Sequence, residues 1–220
     1  MKTTCLNNVK QLDLGLQMYG NDNRDKLPVL VGTAAWAWDI PNSAADIMLA
    51  GMGGQKKTFY CPSTAPTFTD WDNFQNPAPQ RNLWDWGSGF HIVGYSFALS
   101  GAASKLSTTN QNSTLQPEQL KTGPFAFSPV IPAPPNTDRV LIADVILSQA
   151  GQNVASQRLS GTYQYRGITG GFYKAHVSAH LKGNLPEGSN IGFKDGHVSW
   201  RKFSDPLVNS RTVSGPTFWW

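Results

Sequence analysis

Apolar residues recur at alternating spacings of four and three over the first 23 residues. The repeat places five of them on one stripe of a helix: Cys5, Val9, Leu12, Leu16 and Tyr19. Polar residues such as Asp13 are expected to point elsewhere. The stripe is narrow, which is typical of a helix that packs on one neighbour or on a sheet. Pro28 prevents the helix from restarting. We therefore predict an amphipathic helix over residues 1–23.

Beyond this helix the pattern shortens to segments typical of strands. Residues 93–97 alternate between faces, and residues 58–60 also resemble a strand. Residues 139–146 are almost continuously apolar, which predicts a central strand. A second, short helix is expected over residues 43–50.

These elements predict an α+β fold in which the N-terminal helix packs on an antiparallel sheet. The 21 glycines and 15 prolines favour many short strands and turns over a helical bundle. We expect residues 24–220 to form a single globular, β-rich domain. Loop excursions are expected at about 62–90 and 101–136, and the aromatic segment 218–220 is expected to dock on the body.

A hairpin is predicted at Asp195-Gly196, since this dipeptide separates two alternating runs. If these two residues alone form the turn, Lys194 faces His197. The same register places four large apolar side chains on one face: Ile191, Phe193, Val198 and Trp200.

Two cysteines allow one intramolecular pairing, Cys5 with Cys61. Cys5 lies on the packing stripe and Cys61 follows a strand-like run, so a disulfide would fasten the helix to the body. Closing a loop of this size contributes about 4 kcal/mol in the loop-entropy model. Two unrelated buried thiols are the alternative, and they are commoner in the cytosol. We favour the disulfide, and with it an oxidising compartment.

Three blocks of sequence carry a resemblance to a known family. They read CLNNVKQL at 5–12, continuing to MYGNDN at 18–23 and LP at 27–28; FYCPS at 59–63; and NIGFKDGHVSW at 190–200. In this order they resemble bacterial prepilin-like proteins, a family abundant in planctomycete-type and verrucomicrobial-type bacteria. These proteins are relatives of the type II secretion pseudopilins.

The resemblance implies a non-catalytic subunit of a type II secretion or type IV pilus-like filament, or of a cell-surface assembly. Its partners would be other pilin-like subunits, contacted through the N-terminal helix, and a membrane. The family begins with an apolar membrane helix after a cleaved leader, and this sequence has no apolar window of about 18 residues. Two interpretations follow: a cytoplasmic protein, or a subunit whose membrane segment is missing here. We favour the second, with a periplasmic or cell-surface location.

Composition argues against nucleic-acid binding, because the net charge is only +4 and the basic residues are dispersed. We also expect no enzyme, since the chain lacks the motifs of nucleophilic and phosphate-binding sites. No catalytic residue and no cofactor are therefore assigned, apart from one candidate metal ion.

That candidate metal site combines three histidines with one carboxylate. His176 and His180 are four residues apart, and His197 and Asp144 lie near predicted strand ends. The resemblance supports His180, since the family often has a histidine upstream of its Asp-Gly-His turn. An ion here would be structural, because no general base lies nearby. The alternative is that His180 and His197 only form hydrogen bonds with the backbone.

Tryptophans provide a further hypothesis. Trp71, Trp84 and Trp86 could form an exposed platform on which sugars stack, which would make the chain a secreted carbohydrate-binding module. In the alternative, Trp84 and Trp86 pin a long loop. A metal-dependent hydrolase is the remaining functional alternative.

Overall fold

A computed structural model describes every residue except 88, 118–119, 122–129 and 132–133. Part of the predicted excursion at 101–136 therefore lies outside the described residues. The two α-helices are α1 (Lys2–Asp22) and α2 (Asn42–Gly51). Both match the predicted helices.

The strands are short, as the glycine and proline content predicts. They are β1 (Asp39–Pro41), β2 (Phe90–Ile92), β3 (Tyr95–Phe97), β4 (Leu120–Lys121), β5 (Val130–Ile131), β6 (Val140–Asp144), β7 (Leu147–Ser148), β8 (Arg166–Ile168), β9 (His176–Val177), β10 (Leu181–Lys182), β11 (Leu185–Pro186), β12 (Gly188–Phe193), β13 (Val198–Lys202) and β14 (Thr217–Phe218).

The main sheet has four antiparallel strands in the order β13-β12-β6-β3. The predicted central strand is β6, which is paired on both sides. Two-stranded antiparallel pairs surround the sheet: β1 with β2, β4 with β5, β7 with β14, β8 with β9, and β10 with β11. The α+β class with an N-terminal helix and antiparallel sheets is confirmed.

Helix α1 packs against α2 and against β12, β6 and β13 of the main sheet. Cys5, Val9, Leu12 and Leu16 are all fully buried, and Tyr19 packs at the margin of the same core. Burying one such aliphatic side chain stabilises the fold by about 2 kcal/mol. The apolar stripe therefore accounts for the docking of α1.

A glycine permits the close approach of α1 to the sheet. A Cβ atom at Gly192 would lie 3.1 Å from Cγ of Asp13 and 2.7 Å from Cγ2 of Ile142. Any larger residue would displace the Ile142 side chain and crowd Asp13 of the helix.

The predicted hairpin joins β12 and β13, but its register was wrong. The Gly196 amide donates to the Phe193 carbonyl oxygen at 2.8 Å, and the Phe193 amide donates to the His197 carbonyl oxygen at 3.0 Å. The loop is therefore three residues, 194–196, with Gly196 in the left-handed region at φ +87°.

The three-residue loop shifts every pair downstream of the turn. Gly192 pairs with Val198, and Asn190 pairs with Trp200. Paired residues share a face and faces alternate, so Ile191 does not share a face with Trp200. The predicted single apolar face is not formed.

Two other expectations had different outcomes. Residues 58–60 are not a strand, because Lys56–Phe59 forms a turn of 3-10 helix. The aromatic C-terminal segment docks as predicted: Phe218 pairs with Leu147, and Trp219 is fully buried with its Nε1 donating to Oγ of Ser148 at 2.9 Å.

Asp13 corrects the expected polarity of α1, since it lies on the buried face at 0% exposure. Burial raises the pKa of Asp13 to about 8, and the negative charge of Asp195 adds to this rise. The Gln17 side chain lowers the pKa only in part. Its amide donates to the Lys194 carbonyl oxygen at 3.0 Å, and neither carboxylate oxygen of Asp13 has a well-formed hydrogen bond.

The raised pKa predicts a pH dependence of stability. Asp13 is protonated in the folded state up to about pH 8, whereas an unfolded Asp ionises near pH 4. Folding stability should therefore fall as pH rises from about 4 to about 8. The Asp13→Asn substitution removes this ionisation, so its free energy of unfolding relative to wild type should rise by at least about 2 kcal/mol between pH 4.5 and pH 8.

Urea unfolding of both proteins at the two pH values measures this difference. Asp22→Asn, at an exposed position of the same helix, is the matched control and should show a much smaller change. If the free energy of unfolding of Asp13→Asn differs from that of wild type by the same amount at both pH values, the raised pKa of Asp13 is contradicted.

Candidate functional site

The candidate site forms where the end of β6 meets the first turn of α1. Tyr95, Asp144, Asn190 and Trp200 occupy one row across the sheet on the face that α1 covers. Asp144 is fully buried there. Its Oδ2 accepts hydrogen bonds from the backbone amide of Asn190 at 2.7 Å and from Nδ2 of Asn190 at 2.8 Å.

His180 provides a third partner for the same oxygen. Its Nε2 lies 2.9 Å from Oδ2 of Asp144, and both side chains are almost completely excluded from solvent. His180 occupies the left-handed region at φ +52°, and its backbone amide donates to Oγ of Ser63 at 3.1 Å. A left-handed histidine is uncommon, and such outliers concentrate at functional sites.

The predicted disulfide between Cys5 and Cys61 is confirmed and lies directly beside this pair. It joins residues 56 apart in sequence, with their Cα atoms 5.4 Å apart. Sγ of Cys61 lies 3.7 Å from Nε2 of His180 and 2.9 Å from Oγ of Ser63. The disulfide thereby fastens the start of α1 to the body.

Four side chains thus form one buried cluster, which we call the Cys–His–Asp cluster: Cys5, Cys61, Asp144 and His180. One sulfur, nitrogen or oxygen atom from each lies within 4.8 Å of all the others. These are the atom types that bind zinc in proteins.

Electrostatics explain why the cluster is tightly built. A buried carboxylate is costly unless it is paired and hydrogen-bonded. Oδ2 of Asp144 has three partners, namely the two amide groups of Asn190 and Nε2 of His180. Oδ1 has no hydrogen-bond partner among the described residues. Burial raises the pKa of neighbouring Tyr95 well above its usual range, and the charge of Asp144 adds to the effect.

The structure does not assemble the predicted metal site of Asp144, His176, His180 and His197. His176 lies in an aromatic pocket with its ring 4.5 Å from that of Trp38, and burial lowers its pKa to about 4. His197 is largely exposed, and its Nδ1 lies 2.6 Å from Oδ1 of Asp195 within the hairpin. Only Asp144 and His180 come together.

The predicted glycan platform is also not formed. Trp84 is buried at 4% exposure and packs against the rings of Phe59 and His91. Trp86 is partly buried beside Phe172, and only Trp71 is largely exposed. Two of the three indole rings therefore pack against other side chains and do not form an exposed platform.

The two cysteines and Asn190 are the members of the site that the histidine spacing did not indicate. No local pattern links them, because they belong to α1, to the residue just before the 3-10 turn at Pro62–Thr64, and to β12. Asn190 lies beside Asp144 because β12 pairs with β6, and the corrected hairpin register then places Trp200 next to Asn190. All four residues of the Cys–His–Asp cluster are buried, so the arrangement suits a structural clamp better than a site that admits a substrate.

No protein-family model, curated protein or solved structure matches this chain. Among the described residues, no helix combines the length and the apolar character that a membrane crossing needs.

Burial of the Asp144–His180 pair predicts that substitutions of His180 and of His197 lower the free energy of unfolding by very different amounts. The His180→Ala substitution leaves the buried carboxyl of Asp144 without its imidazole partner, which should lower the free energy of unfolding by about 2 kcal/mol or more. The His197→Ala substitution removes an exposed pair and should cost less than about 1 kcal/mol. Urea unfolding at pH 6 compares the two, and equal losses would argue against a structural role for the cluster.

Proposed function

We propose that this chain is the body of a pilin-like or pseudopilin-like subunit, which assembles into a type II secretion or type IV pilus-like filament or a related cell-surface structure. The observation that carries the proposal is the length, packing and covalent attachment of α1. It is one continuous 21-residue helix, packed lengthwise on an antiparallel sheet and covalently joined to the body by Cys5 in its first turns.

The position of the disulfide suits a helix that carries load. A body suspended from a membrane or a filament through α1 would be pulled at the first turn of the helix. A covalent bond at Cys5 opposes peeling at that point, where packing alone would give way one residue at a time. The bond also fits an oxidising compartment such as the periplasm or the cell surface.

The outer face of α1 supports contacts between subunits. Leu14 and Met18 of α1 and Ile47 of α2 are exposed at 60%, 44% and 43%. They border a groove of about 290 Å³ between the two helices. In the assembly we propose, this groove receives α1 of a neighbouring subunit.

The upstream codons of the gene are the most direct test. We expect about twenty apolar residues before Thr3, the length of a membrane span, preceded by a short basic leader. Expression of that product with a prepilin peptidase should then remove the leader, and mass spectrometry of the N-terminus measures the cleavage. An upstream sequence with a stop codon, or with a leader lacking an apolar helix, would contradict the proposal.

The proposed contact at this groove can be tested by chemical cross-linking in membranes of the native host. The Leu14→Lys substitution in the complete gene product should abolish chemically cross-linked multimers, because it places a charge in the contact. Leu207→Lys is the matched control, since Leu207 is equally exposed at 62% and lies outside the groove. Multimers that persist with Leu14→Lys would contradict this packing.

A further inference from the structure

The Cys–His–Asp cluster combines two features that are usually found apart. Its sulfur atoms form a disulfide, yet a histidine nitrogen and a carboxylate lie beside that bond in a site closed to solvent. A disulfide needs neither of these neighbours for its stability. A tetrahedral zinc site, by contrast, needs four such donors.

We propose that reduction of the Cys5–Cys61 bond converts the cluster into a zinc site, with Cys5, Cys61, His180 and Asp144 as its four ligands. This set differs from the one expected from histidine spacing, since it includes both cysteines and omits His176 and His197. The proposal is independent of assembly into a filament.

The distances are close to those that the ion requires. Donors bound tetrahedrally to one zinc ion lie about 3.3 to 3.8 Å apart, given zinc–donor distances of about 2.0 to 2.3 Å. Sγ of Cys61 and Nε2 of His180 are already 3.7 Å apart, and Nε2 of His180 and Oδ2 of Asp144 are 2.9 Å apart. Nε2 and Oδ2 must move apart by a few tenths of an ångström, and the two sulfur atoms must separate, which breaking their bond allows.

Groups around the cluster suit the outer shell of a metal site. The two amide donors of Asn190 hold the Asp144 carboxylate in place, as outer-shell partners do for metal ligands. Oγ of Ser63 lies 2.9 Å from Sγ of Cys61, where it can donate to a thiolate. Oδ1 of Asp144 has no hydrogen-bond partner among the described residues.

The conversion balances in two steps. A dithiol reductant gives two electrons and two protons to the disulfide, which yields two thiols and an oxidised dithiol. Zinc then binds both sulfur atoms as thiolates and releases two protons. The ion would keep α1 fastened to the body after the covalent link is broken.

The test uses the full chain, expressed in a reducing cytoplasm and purified anaerobically with a phosphine reductant. Mass spectrometry with thiol alkylation confirms two free thiols. After addition of zinc chloride and removal of the excess, elemental analysis should find one zinc ion per chain. The air-oxidised protein and the Cys5→Ser/Cys61→Ser double variant should hold none. Stoichiometric zinc in either control, or none in the reduced chain, would overturn the proposal.

Two further measurements separate a built site from loose binding by thiols. Cobalt in place of zinc should give tetrahedral absorption bands with thiolate-to-metal charge transfer, and zinc should raise the melting temperature of the reduced chain above its value in chelator. A reduced chain that binds zinc with an unchanged melting temperature would contradict the four-ligand site.

Histidine variants test the ligand set directly. Loss of an outer-shell partner weakens metal affinity about 10- to 100-fold, so the His180→Gln variant, which loses a ligand, should weaken zinc binding more than this. His176→Gln is the matched control, because His176 is also buried but lies outside the cluster. Equal zinc affinity of the two variants would exclude His180 as a ligand.

Discussion

The close approach of α1 to the four-stranded sheet is the constraint on which the rest of this structure depends. It requires a residue without a side chain at Gly192, where any Cβ would meet Asp13. The same approach buries the apolar stripe and places Cys5 over the end of the central strand. It also encloses two carboxyls, those of Asp13 and Asp144, in a region from which water is excluded. The surroundings of the two carboxyls differ, because Asp144 has imidazole and amide partners, whereas burial raises the pKa of Asp13 to about 8.

The sequence predicted the elements of the fold better than their relative placement. Period and composition were sufficient for α1, for the central strand and for the α+β class, because these depend on local pattern. The disulfide was predictable because two cysteines leave one pairing. The hairpin register was not, since Asp-Gly serves both two-residue turns and three-residue turns with a left-handed glycine. Burial of Asp13 was likewise missed, because its neighbours across the sheet lie about 180 residues away.

The candidate site shows the same division between local and distant information. Histidine spacing suggested His176 with His180, but β9 and the segment before β10 send the two rings to different surroundings. Asp144 and His180 were expected to meet and do so. Their convergence with the disulfide depends on four separate chain segments, and no pairwise pattern in one sequence reports such a meeting. Trp84 illustrates the converse, since an aromatic residue in a loop-rich segment proved to be core.

The topology of α1 also determines the order in which the molecule can be completed. The sheet surface that covers α1 comes largely from β6 and β12, so this part of its packing waits until residues 140–193 have been synthesised, whereas α2 can contact α1 much earlier. Cys61 also emerges before these strands, and its disulfide with Cys5 can fasten the helix to the segment that follows α2. Such long-range contacts delay folding, because loop closure must precede the contacts that compensate it. The sheet core beneath α1 is therefore completed only after the central strand and both strands of the hairpin have emerged.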